Sequence, residues 1–474
     1  MKFHPQSFIP FLLLLLATPV AAQQTFSYGQ DVTLPSYAPL GADHATVAVN
    51  SFGDSFIAYH TLFGTGRHMV EGMAISSLGG NQFQASSTGH FALGNQSLNV
   101  LGEDSCIKPD VVALPDDSFI VSWTRLDHSG SFPARVEMCR IVMRDSLGAL
   151  LPMTQVIAPQ PGVGYVIDAD FNAADSGGMI DLMDLEDGTV AGVYAHQTSR
   201  VIDPLSGDTW REYDLRLVRV DWNLDPSDPN FAALPVALMS GIPFDNPGNR
   251  VPLGGQVLPD VVLDDHFHMV LAYEEFWLNG HGGVTGANLG RIVVKRFSGF
   301  QSAAPMTEIN TNFFTRDPAR GQRRPNLSTS RFDTRNAITL AWGHDDLWYR
   351  TDKILTREIT YQGSAASVRN LYWANSVLFE DTLPTTVCGA NATRFTLATR
   401  EYASQNALIV ARSAQQDMLE IPTAVAYPLR PSVALLEMPT SGGGIDQCLY
   451  TTYEGADTRN AADFLIHLVV HQVP

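Results

Sequence analysis

The chain has 474 residues, 45% of them hydrophobic and 17% charged, with a formal net charge of −19. This composition excludes a disordered, collagenous or coiled-coil protein, and the acidic balance speaks against nucleic acid and against general attraction to anionic polymers or lipid headgroups, a local basic patch apart. Its 38 Gly and 28 Pro are spread along the chain, and Val, Thr, Ile, Phe, Tyr and Trp recur in short clusters, so an all-β protein is expected.

In chain order, residues 1–22 read as a secretory signal. Lys2 supplies a positive start, Phe8 to Val20 is apolar, and Val20-Ala21-Ala22 suits cleavage before Gln23. The apolar run is shorter than the roughly 20 residues that span a bilayer, and no later stretch comes close. A secreted or periplasmic mature chain, 23–474, is therefore expected, without a membrane span.

Next comes a repeat. Pro109-Asp110-Val111-Val112-Ala113-Leu114-Pro115-Asp116-Asp117-Ser118-Phe119-Ile120-Val121-Ser122-Trp123 is an apolar strand, a tight acidic turn and a second strand ending in an aromatic. Val111 and Trp123 are 12 positions apart, as are Val47 and Tyr59, Leu182 and Tyr194, and Val261 and Tyr273. Looser copies run from Leu327 to Trp342 and from Val433 to Tyr450, and a weak seventh lies near Phe395 to Arg412. A third β-like run follows each hairpin, as at Val136 to Met143, Leu215 to Val220, Arg291 to Phe297, Ile354 to Tyr361 and Phe464 to Val470. Repeats of this length that are apolar on both faces predict four-stranded antiparallel blades, seven in number, burying one another in a single β-propeller over 23–474.

The frame resembles the broad class of exported bacterial β-propeller repeat proteins with P-x-V-A-x-x-D-G-x-F-x-V-x-W type blades. That resemblance implies a scaffold shared by binding modules, lyases and hydrolases, and it implies no particular chemistry. The S-x-D-x-G-x-T-W box of sialidase-like propellers is missing, although Ser206-Gly207-Asp208-Thr209-Trp210 is superficially similar. A clean D-x-D-x-D-G calcium loop is missing too, Asp181 to Gly188 being the nearest.

In such blades the connections between the second and third strands share one face of the disc. On the sequence register they are 60–69, 124–137, 195–214, 274–291, 343–353 and 451–463. They hold His60, His68, His128, His196, His281 and His344, six of the thirteen histidines. Imidazole is the side chain best suited to act as a base near neutral pH. With Arg125, Arg200, Trp210, Trp277 and Trp348, these loops form the expected ligand site, centred on blades two to five. Rings that stack on sugars and polar groups that bind hydroxyls point to an extracellular glycan or protein as partner. The favoured reading is a secreted binding or scaffold propeller. The alternative is a carbohydrate-active enzyme, a polysaccharide lyase or glycoside hydrolase, on the same face.

Asp110, Asp181, Asp260 and Asn326 hold equivalent positions at the entry of the first strand. They offer hard oxygen ligands, so a cation near Asp110, Asp181 and Asp260 is one reading. An Asp beside a Pro at a strand entry also takes backbone N–H bonds, which is the structural reading. No other cofactor is expected. Cys106, Cys139, Cys388 and Cys448 lack metal-ligand spacing, and in an exported chain they are expected to form two disulfides, Cys106–Cys139 and Cys388–Cys448. Finally, Gln24 to Leu34 has no blade of its own and is expected to close the last one as its outer strand.

Overall fold

The computed structural model describes residues 24–473 apart from 38–40, 64–66, 95–103, 128–133, 172–179, 203–208, 239–253, 278–288, 300–305, 315–321, 331–336, 345–352, 371–379, 391–392, 403–404, 413–416, 441–443 and 459–463. Seven antiparallel blades succeed one another along the chain. Within each blade the strands are named A to D in order of pairing, from the innermost outward. The seven A strands are Ala42–Val49, Asp104–Ala113, Ile180–Asp184, Gly254–Leu263, Gln322–Ser328, Glu380–Cys388 and Tyr427–Pro439. Each touches the next, and the last touches the first, so they close a ring around the axis.

Alternation explains why blades stack rather than face water. In blade 2 the B strand Phe119–Asp127 and the C strand Ala134–Arg144 are apolar on both faces. Each apolar cluster then fills one seam between neighbours. Phe56, Val70, Val111 and Trp123 join blades 1 and 2; Ile120, Met138, Tyr194 and Val218 join blades 2 and 3; Val270, Ile292, Leu340 and Trp342 join blades 4 and 5. The seam of blades 5 and 6 holds the small cluster of Ile354, Ala398 and Ala411. An ion pair of buried Arg394 with partly buried Glu358 adds to that seam.

The N-terminal segment is shared between two blades. Asp31–Thr33 pairs with His467–Val469 and supplies the fourth strand of blade 7, as expected. Gln24–Ser27 instead pairs with Gln82–Ala85 on the outer edge of blade 1. The chain thereby bridges the first and last blades, and both lose an exposed edge. A single parallel contact, Tyr213 to Gly255, links the sheets of blades 3 and 4. Residues 1–22, read as a signal, lie outside the described residues. Among those described, no helix is long and apolar enough to cross a membrane.

Two sequence registers need correction. In blade 6, Phe395 pairs with Arg412, so that stretch is the B–C hairpin and not an A–B repeat. In blade 7, Val433 lies opposite Thr451, which makes buried Tyr453, and not Tyr450, the equivalent of Trp123. The disulfides are corrected as well: all four cysteines are free and buried thiols. Cys106 lies opposite Arg125 and Cys139 opposite Val121. Four residues along the shared strand separate them by about 13 Å, beyond the reach of a disulfide. Cys388 Sγ faces blade 5, 3.0 Å from Ser328 Oγ and 3.0 Å from Thr339 Oγ1, whereas Cys448 Sγ lies 3.1 Å from the Tyr28 hydroxyl. Burial pushes the Cys139, Cys388 and Cys448 thiols up, which keeps them protonated and unreactive.

A candidate ligand site at the axial mouth

The A strands share a local irregularity that builds the site. In blades 1, 2, 4, 5, 6 and 7 the A–B register slips by a bulge, between Asp43 and Thr46, Ile107 and Asp110, Val257 and Asp260, Arg323 and Asn326, Thr382 and Thr385, and Leu429 and Ser432. At the bulge His44, Lys108, Leu258, Arg324 and Arg430 adopt left-handed φ of 45° to 53°. A buried Pro follows in four of these five, and the next residue forms an inner ring.

That inner ring staples blades 1 to 6 in succession. Asp110 accepts the Leu182 N–H at 2.8 Å, Asp181 the Val261 N–H at 2.6 Å, Asp260 the Leu327 N–H at 2.9 Å, and Asn326 the Thr386 N–H at 2.6 Å. The Thr46 hydroxyl donates to Asp110 at 3.0 Å, and Asn326 donates to Asp260 at 2.5 Å. Burial, opposed by these donors, raises Asp110 to about 6 and Asp260 to about 7. Burial and the neighbouring charges of Asp260 and Asp110 push Asp181 up as well. Oxygens spent on backbone N–H groups, in carboxyls that resist ionisation, make a poor cation cage. The ring's work is to join blades.

A second set of bolts starts from the B strands, one residue beyond the buried aromatic. His60 Nδ1 accepts the Lys108 N–H at 3.2 Å, Glu454 the His44 N–H at 2.9 Å, and Glu274 the Arg324 N–H at 3.4 Å. The bulge N–H groups of His44, Lys108 and Arg324 thus reach back to the preceding blade, where the backbone turns left-handed.

The side chains of the bulge residues gather at the mouth of the axis, on the face reached by the B–C connections. Arg430 bridges Asp43 and Glu454, and Asp43 is also paired with His44. His44 stacks on His60 with ring centroids 4.9 Å apart, and His68 meets His60 edge-on at 4.8 Å. Burial, then the neighbouring His44, lowers His60 to about 3, so it is neutral. Burial favours protonation of Asp43, but His44, Glu454 and His60 together hold it well below the usual carboxylate range. Burial and the Asp43 charge raise Glu454 to about 8. Burial lowers the Lys108 ammonium of blade 2, and so does the charge of Arg324 in blade 5.

Asp43, His44 and His60 lie close enough to share a metal ion, as do Asp264, Asp265 and His266 in the A–B turn of blade 4. Neither group fits one well. His60 Nδ1 accepts a backbone N–H, so its proton sits on Nε2, the atom that faces Asp43 at 4.0 Å. A metal-ligating imidazole has the reverse arrangement. Asp264 is already held by Arg296 Nε at 2.6 Å.

The expected ligand residues fall into four groups. His60 belongs to the mouth cluster. Arg125 is buried and bound to Glu137 at 2.6 Å, and this carboxylate also takes Trp123 Nε1 at 3.0 Å and Gly164 N at 3.1 Å, so Arg125 braces blade 2. His196 is buried in the B strand of blade 3, opposite Asp214. Arg200, Trp210, Trp277 and His344 lie in strands, paired with Arg211, Val201, Leu289 and Lys353, where loops were expected. His128, His281 and Trp348 lie outside the described residues. Sequence reasoning passed over His44, Lys108, Arg324, Arg430, Asp43 and Glu454. The available signal was the recurrent basic residue before Pro and the ring position, as in Lys108-Pro109-Asp110, Arg324-Pro325-Asn326 and Arg430-Pro431-Ser432.

No family model and no curated protein matches the chain. Among solved structures, similarity extends to a polysaccharide lyase, with 7% identity, 93% of this chain and 91% of that chain covered, and a TM-score of 0.48. It extends also to the alpha-L-arabinanase of Penicillium chrysogenum, with 10% identity, 95% and 98% covered, and a TM-score of 0.42. The alpha-L-arabinofuranosidase of Fusarium graminearum shows 10% identity, 94% and 98% covered, and a TM-score of 0.44. At these values the likeness carries no inference about residues or chemistry.

Proposed function

We propose that this chain is an exported β-propeller that binds an extracellular glycan at its axial mouth, on the face of the B–C connections. The observation that carries the reading is the convergence of Asp43, His44, His60, Lys108, Arg324, Arg430 and Glu454, contributed by blades 1, 2, 5 and 7, on one opening. Rigid strand ends hold a mixed set of carboxylate, imidazole, ammonium and guanidinium groups, the polar floor that a hydroxyl-rich ligand requires. Trp210 and Trp277 lie at the B–C ends of blades 3 and 4 on the same face.

One observation favours the enzymatic alternative. Asp43 and Glu454 are adjacent carboxyls with affinities for a proton driven apart, a low one and one near 8, as an acid and a base on one substrate would require. The test incubates the purified protein with a panel of neutral and acidic polysaccharides. Retardation in gels containing one of them, without unsaturated product or new reducing ends, supports the binder. Turnover that is lost in Glu454→Gln supports the enzyme. Failure of every polysaccharide to retard the protein or be consumed overturns the glycan reading.

A further inference from the structure

We infer that the axial mouth selects a carboxylate-bearing sugar, a uronate residue, through Lys108 and Arg324 of blades 2 and 5. This rests on the axial-mouth reading and specifies its ligand class.

The first observation is positional. Of the five bulge residues with left-handed φ, His44, Lys108, Arg324 and Arg430 are basic and Leu258 is not, and the blade 6 position before Pro384 is Leu383. They hold one repeat position, and the A strands form a closed ring, so their side chains stand at one level around the axis. The Lys108 ammonium is depressed partly by Arg324 across that ring, and Arg430 reaches Asp43 and Glu454 at the seam of blades 7 and 1.

The second observation concerns strain. A left-handed φ disfavours every residue except Gly, and to a lesser degree Asn or Asp. A following Pro restricts its predecessor further. The bulge N–H bonds of Lys108 and Arg324 involve the backbone alone, and Gly would donate them without strain. Strained residues that persist with a particular side chain mark places where the side chain is used.

The net charge of the chain does not oppose this. Exposed charges more than about 8 Å apart are screened at physiological ionic strength, so the local set governs a carboxylate seated at the mouth. A guanidinium and an ammonium carried at one repeat position around the ring offer the two-pronged recognition that a planar carboxylate favours.

The test uses Lys108→Gly and Arg324→Gly, which relieve the left-handed strain, with Arg140→Gln on the opposite face as control. Each protein is run in gels containing polygalacturonate or its fully methyl-esterified form, and titrated with citrate as a small carboxylate. The wild type and Arg140→Gln should be retarded by the acid form alone. Each Gly variant should bind it at least tenfold more weakly with no loss of melting temperature, and raised NaCl should weaken the wild type. Equal retardation by acid and ester overturns the inference and leaves the glycan reading standing. Citrate binding that depends on Arg324, with no polymer retarded, overturns the glycan reading while the anion site stands. No binding of citrate or of any polymer overturns both.

Discussion

Two rings surround the axis of this propeller, only two residues apart along each A strand, and they have opposite fates. The inner ring of Asp110, Asp181, Asp260 and Asn326 gives its oxygens to backbone N–H groups of the following blade. The bulge ring of His44, Lys108, Arg324 and Arg430 staples blades through the backbone N–H of the first three, while Arg430 pairs its side chain with Asp43 and Glu454 at the mouth. A repeat fold therefore separates structure from function by a two-residue offset. The polar groups most conspicuous in the sequence hold the ring closed, and the less conspicuous ones beside them face the opening.

The largest expected effect lies in the inner ring. Asp260→Ala strands the Leu327 N–H and an Asn326 amide proton in a half-buried seam, and each orphaned donor costs about 1–3 kcal/mol. Chemical denaturation should show a loss of about 2–4 kcal/mol with ligand binding intact in the folded fraction. A loss below about 0.5 kcal/mol would erase the distinction between the rings.

A smaller effect of the opposite sign is expected from the bulge ring. Arg324→Gly removes a left-handed residue with a side chain, and stability should stay level or rise by about 1 kcal/mol. A substantial loss would mean that the arginine is itself a brace.

The pH response sharpens the comparison further. Asp110 and Asp260 titrate near 6 and 7 in the folded chain, above their unfolded values near 3.9. The folded state therefore holds more protons than the unfolded state in this window. That contribution is complete below about pH 4 and is lost as pH rises through 6 to 7. Histidines such as His60, lowered on folding, contribute with the opposite sign, so the difference between proteins is the informative quantity. Wild type minus Asp260→Asn melting temperature should increase as pH falls from 8 to 5, and a flat difference would contradict the assignment.

The smallest effect should be that of reductant, which is none. Side-chain staples and blade seams close the ring while the four thiols stay free, so dithiothreitol should leave the melting temperature unchanged, and unfolded protein should titrate with four thiols.

The fold was readable because a blade repeats one physical requirement, an apolar residue and an aromatic on one sheet 12 positions apart. The frame failed where that residue pair was altered. In blade 6, Ala398 replaces the aromatic, and in blade 7 a longer A–B turn places Tyr450 three residues from the true equivalent, Tyr453. Of the site, His60 could be found because it follows Tyr59. Loops were overdrawn because strands such as Thr189–Ile202 continue well past the aromatic, which drew Arg125 and His196 into buried positions. Lys108, Arg324 and Arg430 were hidden because a basic residue before Pro reads as a solvated strand entry until ring closure brings blades 2, 5 and 7 to one opening.

The most direct test of the axial-mouth account is a crystal structure of the protein with an acidic oligosaccharide. The account predicts a sugar at the mouth, with its carboxylate about 3 Å from Lys108 Nζ or the Arg324 guanidinium. A sugar bound instead over the A–B turns, around Asp116, Asp187 and Asp264, would contradict it.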